Sequence, residues 1–214
     1  MAAGVINPKT KMNEFDIKAK EWDSNPMHNE RSEAIAKSII NKGIIKPGMR
    51  GLEFGAGTGI LSFLLSDTLR EIILVDNSAG MIKIAAEKIT EKKKNNLIPM
   101  LANLEQESYT GPAPDFIFSQ MALHHITDTN SLFRKFYSIL NEKGYMAIAD
   151  IYTEDGSFHG EGFTGHNGFD VAQLAKDAEE CGFINISSSE CYVIKKQVGN
   201  SIREYPVFLL LAQK

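Results

Sequence analysis

Apolar residues recur at two different periods along the chain, and the change of period divides it. Over 14–23 and 30–42 they fall at helical spacing, with Phe15, Ile17 and Trp22 in the first stretch and Ile35, Ile39 and Ile40 in the second. Gly43 is placed to end the second helix. After Pro47 and Gly48 the pattern changes to short apolar runs near 52–54, 72–75, 98–102, 115–119 and 145–150, separated by helical segments over 60–65, 78–91 and 128–140. Alternation of this kind builds right-handed βαβ units and a parallel sheet. Pro99 sits inside the third run, where it cannot donate to ladders on both sides, so that strand belongs at a sheet edge. A helix over 170–181 follows, then strands over 184–194 and 202–213 joined as a hairpin by a turn at Gly199 and Asn200.

Composition narrows the classes without changing this outline. At 214 residues and 43% hydrophobic, the chain is long enough for one substantial core. It divides into an N-terminal helical cap over 1–47 and a main domain over 48–214, and no repeat or low-complexity linker separates further units. Lys plus Arg number 23 against 27 for Asp plus Glu, which leaves no broad basic field for nucleic acid. The longest apolar runs, such as 207–212, fall far short of the roughly 20 residues a membrane span needs. Residues 1–11 hold no apolar block of leader length, so the cytoplasm is the expected compartment. Cys181 and Cys191 are too few for a disulfide framework and lack zinc-finger spacing; both read as reduced packing residues.

The chemistry begins at Gly55-Ala56-Gly57-Thr58-Gly59, which follows a strand and opens a helix. Such a turn is tight, and its backbone can approach a ligand at the helix N-terminus. Asp76 ends the next strand, 19 residues beyond Gly57, where a carboxylate accepts from both hydroxyls of a ribose. These features leave a choice between a dinucleotide and S-adenosylmethionine. Glu53 would repel a pyrophosphate yet suits an ammonium and a sulfonium, and the glycines are spaced G-x-G-x-G, unlike the dinucleotide fingerprint.

At these residues the chain resembles the class I S-adenosylmethionine-dependent methyltransferases, in particular the small single-domain Rossmann-like group. Residues 53–59 look like that family's first motif, and Val75, Asp76, Asn77 and Ser78 with Met81 look like its second. Asn103 and Leu104 stand where the family commonly places an Asp and an apolar residue against adenine; Asn103 keeps an oxygen acceptor. Residues 115–120, including Ser119 and Gln120, resemble the fourth-strand motif, and His124 and His125 follow as in many members. The resemblance implies an α/β fold with a seven-stranded sheet in the order 3-2-1-4-5-7-6, strand 7 antiparallel and helices on both faces. It also implies S-adenosyl-L-methionine bound by Glu53, Gly55, Ala56, Gly57, Gly59, Asp76, Asn77, Met81, Asn103, Leu104, Ser119 and Gln120.

Ligands in open α/β sheets bind at the carboxyl ends of the strands, which places methyl transfer to a small-molecule acceptor beyond strands 4 and 5. His124, His125, His159 and His166 lie in segments starting there. His124, His125 and His159 are the candidate bases, because imidazole titrates near neutrality, and a packing role competes for each. A histidine metal site ranks low, since no H-x-x-x-H pair or nearby Cys reinforces it, so no metal is expected. The loop over 152–169, rich in Gly, Phe and His, reads as a lid over the acceptor. Trp22 reads either as a core staple or as a residue closing over the cofactor or the acceptor. Two alternatives remain: a noncatalytic S-adenosylmethionine-binding or S-adenosylhomocysteine-binding protein, and an NAD(P)-dependent oxidoreductase.

Overall fold

The structure is a computed structural model that describes residues 14–214. The expectation for 1–11 therefore lies outside the described residues. The elements in chain order are α1 (Glu14–Lys18), a 3₁₀ segment (Ala19–Ser24), α2 (Pro26–Asn41), β1 (Arg50–Phe54), α3 (Ile60–Leu65), β2 (Glu71–Asp76), α4 (Ala79–Glu91) and β3 (Leu97–Leu101). They continue with β4 (Phe116–Gln120), a 3₁₀ turn (Leu123–His125), α5 (Thr129–Ile139), β5 (Tyr145–Ile151), α6 (Val171–Glu180), β6 (Ile184–Val198) and β7 (Ser201–Gln213). None of the described helices is long and apolar enough to cross a membrane.

The seven strands form one sheet in the order β3-β2-β1-β4-β5-β7-β6. β1 to β5 pair in parallel, whereas β7 runs antiparallel to both β5 and β6. The edge position expected from Pro99 holds: among the described residues β3 pairs only with β2. Alternation along the strands divides the core in two. On β4, Ile117 points into a cluster with Phe133 and Phe136 of α5 and Leu174 of α6, while Phe116 and Phe118 point the other way, toward Ile35 and Ile39 of α2 and Leu61 and Leu65 of α3. At roughly 1.5–3 kcal/mol for each large side chain taken out of water, these two layers are the main stabilising term of the fold.

Three boundaries differ from the sequence reading, each for a local reason. The first predicted helix is split, its second half wound as 3₁₀. The second begins at Pro26 instead of 30, because the Asn25 side chain accepts from the Met27 N–H at 3.1 Å and proline suits the first helical turn. β6 continues to Val198, paired with β7 up to the turn.

Candidate active site

The carboxyl ends of β1, β2 and β4 and the loop after β5 line a single cleft of about 670 Å³. At one end is the glycine turn. Gly55 and Gly57 both have positive φ, +64° and +55°. A Cβ on Gly55 would stand 2.5 Å from that of Ala122, whereas one on Gly57 would meet only the Met81 sulfur, at 3.9 Å. Gly57 is thus open to the cleft, and its N–H donates to Asp76 Oδ2 at 2.7 Å. Asp76 Oδ1 accepts from Ser78 N–H at 2.8 Å, and the Asn77 backbone N–H is a third donor to this carboxylate. Burial raises the pKa of this carboxyl, while the amides of Ser78 and Gly57 oppose the rise.

The N-terminal segment is fastened over this turn by two acids that sequence reasoning missed. Asp16 Oδ1 accepts from Ser78 Oγ at 2.6 Å and Gly80 N–H at 2.8 Å, and Asp23 accepts from Thr58 Oγ1 and Lys88 Nζ. Lys88 also donates to the Thr58 carbonyl at 2.9 Å. The Trp22 ring lies 4.2 Å from that of His28 and lines the cleft, together with Asn77, Met81, Asn103, Leu104 and Gln120. Asn103 Oδ1 accepts from Glu105 N–H at 3.0 Å, and Gln120 Oε1 accepts from Ser32 Oγ at the same distance.

Glu53, Gly59 and Ser119 are not in the cleft lining. Ser119 Oγ donates to the Phe54 carbonyl at 2.8 Å. Glu53 is fully buried beneath the turn, where its Oε2 accepts from the Ser62 N–H at 3.1 Å and from Ser62 Oγ, and its Oε1 has no partner among the described residues. Burial pushes its pKa up to about 8, against the lowering effect of Ser62. The carboxyl expected to face a cation is here an internal group holding α3.

The other end of the cleft is a wall of histidines. His124 is 2% exposed, and its Nδ1 lies 2.7 Å from Oδ1 of the fully buried Asp150, whose Oδ2 accepts from the His124 backbone N–H at 3.2 Å. His159 comes from the loop after β5. The ring of His124 is 4.2 Å from that of His125 and 4.7 Å from that of His159. Burial and the neighbouring His124 push the pKa values of His125 and His159 down to about 4. Phe163 stacks on His159 at 3.8 Å. His166, from the same loop, stays out of this group, because its Nε2 donates to the Ile126 carbonyl at 2.9 Å and its backbone N–H to that of His124.

The loop itself leaves the fold through a closed neck. Thr153 N–H donates to the Phe169 carbonyl and Glu154 N–H to that of Asn167. Ser157 Oγ meets Tyr205 OH at 2.7 Å, and Lys196 Nζ donates to the Phe158 carbonyl, which seats the loop on the β6–β7 hairpin. Between the two ends lies Arg31, also unforeseen. It is buried, its Nε has no partner among the described residues and one terminal nitrogen rests on the Met27 sulfur at 3.7 Å; burial lowers its pKa to about 10.

A doubly covered seven-stranded sheet of this order, with a glycine turn and an acid at its switch point, defines a Rossmann-like methyltransferase fold. The chain belongs to the methyltransferase domain family, whose model matches residues 27–188. It is 28% identical over 171 residues to an uncharacterised methyltransferase of Schizosaccharomyces pombe, covering 72% of this chain and 58% of that one. It is 25% identical over 185 residues to phosphoethanolamine N-methyltransferase 1 of Triticum aestivum, covering 81% of this chain and 37% of that protein. The chain therefore spans less than two thirds of the length of either relative. The phosphoethanolamine N-methyltransferase 2 of Haemonchus contortus, solved with S-adenosyl-L-methionine, superposes with a TM-score of 0.70 at 18% identity over 95% of this chain and 60% of that one.

Proposed function

We propose that this chain is a cytoplasmic enzyme that transfers a methyl group from S-adenosylmethionine to a small-molecule acceptor. The observation that carries the reading is the continuity of the cleft, which runs from the glycine turn and Asp76 to His124, His125 and His159 without a wall between them. In this reading Asp76 takes the ribose hydroxyls, Asn103 and Leu104 hold the adenine, and Gly55, Ala56, Gly57, Asn77 and Met81 surround the rest of the donor. Trp22 covers it. The donor's methyl then faces the histidines, which are the candidate catalytic residues, and the acceptor enters beneath the loop over 152–169.

In the reaction the acceptor's lone pair forms a bond to the methyl carbon as the carbon–sulfur bond breaks, its electron pair returning to sulfur. The sulfonium becomes a neutral thioether, and a proton on the acceptor leaves to the surroundings. What the protein supplies to such an in-line displacement is positioning and exclusion of water. The loop, Trp22 and Phe163 serve both ends. Family membership and the related fold solved with the donor support the choice of S-adenosylmethionine over a nicotinamide.

Calorimetry with S-adenosylhomocysteine and with NAD and NADP tests the donor: binding of the first and neither of the others is expected, and the reverse overturns the reading. Mass spectrometry with S-adenosylmethionine and a panel of thiols, phenols, amines and carboxylic acids tests the reaction, phosphoethanolamine being included because the wheat relative is named for it. A chain that binds the donor and methylates nothing in the panel is a binding protein, not a transferase for these classes.

A further inference from the structure

We infer that His124, His125 and His159 form a site for one divalent cation of the zinc class at the acceptor end of the cleft, with coordination positions left open for the acceptor. Its role rests on the methyl-transfer reading above; its geometry does not. One ring nitrogen of each histidine lies within 4.8 Å of the other two. The three come from two segments, His124 and His125 from the turn after β4 and His159 from the loop after β5, so local structure alone does not bring His159 to the other two. Buried ring nitrogens ordinarily find hydrogen-bond partners. Here His159 Nε2 is buried with none among the described residues, and the Nδ1 of His124 is taken by Asp150, which leaves Nε2 as that ring's ligating atom.

Asp150 supplies a second, independent sign. It is fully buried, is itself held by the Ile151 N–H at 2.8 Å, and receives the Nδ1–H of His124 at 2.7 Å. A carboxylate behind an imidazole in this way fixes the tautomer and raises the basicity of a metal-ligating ring. Imidazole sets suit zinc, iron, nickel and copper, and three protein ligands with an open position characterise reactive zinc centres, not structural ones. Zinc holds its nitrogens about 2.0–2.1 Å away, hence roughly 3.3 Å from one another in a tetrahedron. Binding therefore draws the three rings inward, and His159 is carried by a loop.

The lone pairs decide which acceptor such a site serves. A cation lowers the pKa of a bound thiol or hydroxyl, whose proton passes to solvent water. The bound sulfur or oxygen keeps further lone pairs, one of which forms the bond to the methyl carbon while the carbon–sulfur pair returns to the donor's sulfur. An amine has a single lone pair, and coordination consumes it. The site thus selects a thiol or hydroxyl acceptor over an amine.

The test uses the full chain without an affinity tag, stripped with a chelator and then desalted from Zn²⁺ or Co²⁺. One equivalent of retained zinc by elemental mass spectrometry and a visible absorption band with Co²⁺ are expected. His125→Ala and His159→Ala should each weaken zinc binding at least tenfold and Asp150→Asn by about ten- to a hundredfold, while His166→Ala retains it. Calorimetry with S-adenosylhomocysteine on each protein reports whether the cleft is intact. Wild-type chain that binds S-adenosylhomocysteine but retains no zinc overturns the metal site and leaves methyl transfer standing. Chain that retains zinc but binds no S-adenosylhomocysteine overturns the methyl-transfer reading and leaves the site. Equal zinc binding by wild type and both histidine variants also overturns the assignment.

Discussion

The two ends of the cleft are built from different materials. At the donor end the polar contacts come from backbone N–H groups and one carboxylate, fixed at the ends of β1 and β2 by ladders on both sides of β1. At the histidine end they come from side chains on a short 3₁₀ turn and on a loop that is fastened at its neck, against the hairpin and, through His166, to the carbonyls of His124 and Ile126. Backbone contacts on strand ends vary little with side-chain identity, so one scaffold serves one donor. Loop side chains vary freely, so the same scaffold serves many acceptors.

Removing the loop should separate the ends most completely. Deleting residues 157–166 is feasible because a Cβ on Gly156 would lie 3.3 Å from the Asn167 side chain, so the cut ends already stand together. S-adenosylhomocysteine affinity by calorimetry should remain within a few fold while turnover is abolished, since His159 and Phe163 leave with the loop. A parallel loss of affinity and turnover would show that the ends are one unit.

Gly57→Val makes the opposite cut. The protein offers room for the side chain, with only the Met81 sulfur near, so folding should survive at a cost of about 1–2 kcal/mol for the left-handed backbone. In the proposed reading the same side chain fills the place where the donor approaches. Binding of S-adenosylhomocysteine should fall by more than about a hundredfold, or roughly 2.7 kcal/mol, with a circular dichroism spectrum like that of the wild type. Retained binding would move the donor away from the turn.

The same contrast explains what the sequence made legible. The βαβ order, the edge placed by Pro99 and the glycine turn with Asp76 rest on signals within a few residues or a fixed spacing, and all are found as read. Asp16 on Ser78, Asp23 on Thr58 and Asp150 on His124 span 62, 35 and 26 residues with no pattern that pairs them. Arg31 gave no sign of burial because it sits among polar residues, on a helix whose start at Pro26 was missed even though Asn25 and Pro26 are a cap signal. The meeting of His159 with His124 and His125 depends on the course of a loop, which periodicity does not describe.

Beneath the donor end, Glu53 gives a pH-dependent test. Its pKa is raised from an ordinary 4.5 to about 8 in the folded chain, so between those values the folded state holds a proton that the unfolded state has lost. Stability from this group is complete below about pH 4.5 and falls as pH rises to about 8, by an amount on the order of a few kcal/mol. Glu53→Gln, neutral at every pH, should flatten that slope in urea melts and be the more stable protein at pH 9. An unchanged slope would mean that Glu53 is ionised and faces a cation after all.

The smallest effect concerns the adenine in the proposed reading, where Asn103 stands in place of the Asp that the family resemblance implies. Asn103 Oδ1 already accepts from Glu105 N–H, and its second lone pair remains for the adenine amino group. Asn103→Asp keeps the turn and makes that acceptor charged, a gain of about 0.5–1.5 kcal/mol, or roughly two- to tenfold in affinity. Asn103→Ala should lose a similar amount. The comparison that isolates the contact is S-adenosylhomocysteine against S-inosylhomocysteine, whose base carries no amino group. The gain from Asp should appear with the first ligand and vanish with the second. If both ligands respond alike, Asn103 acts only through the turn it holds, and the base is recognised by shape against Leu104.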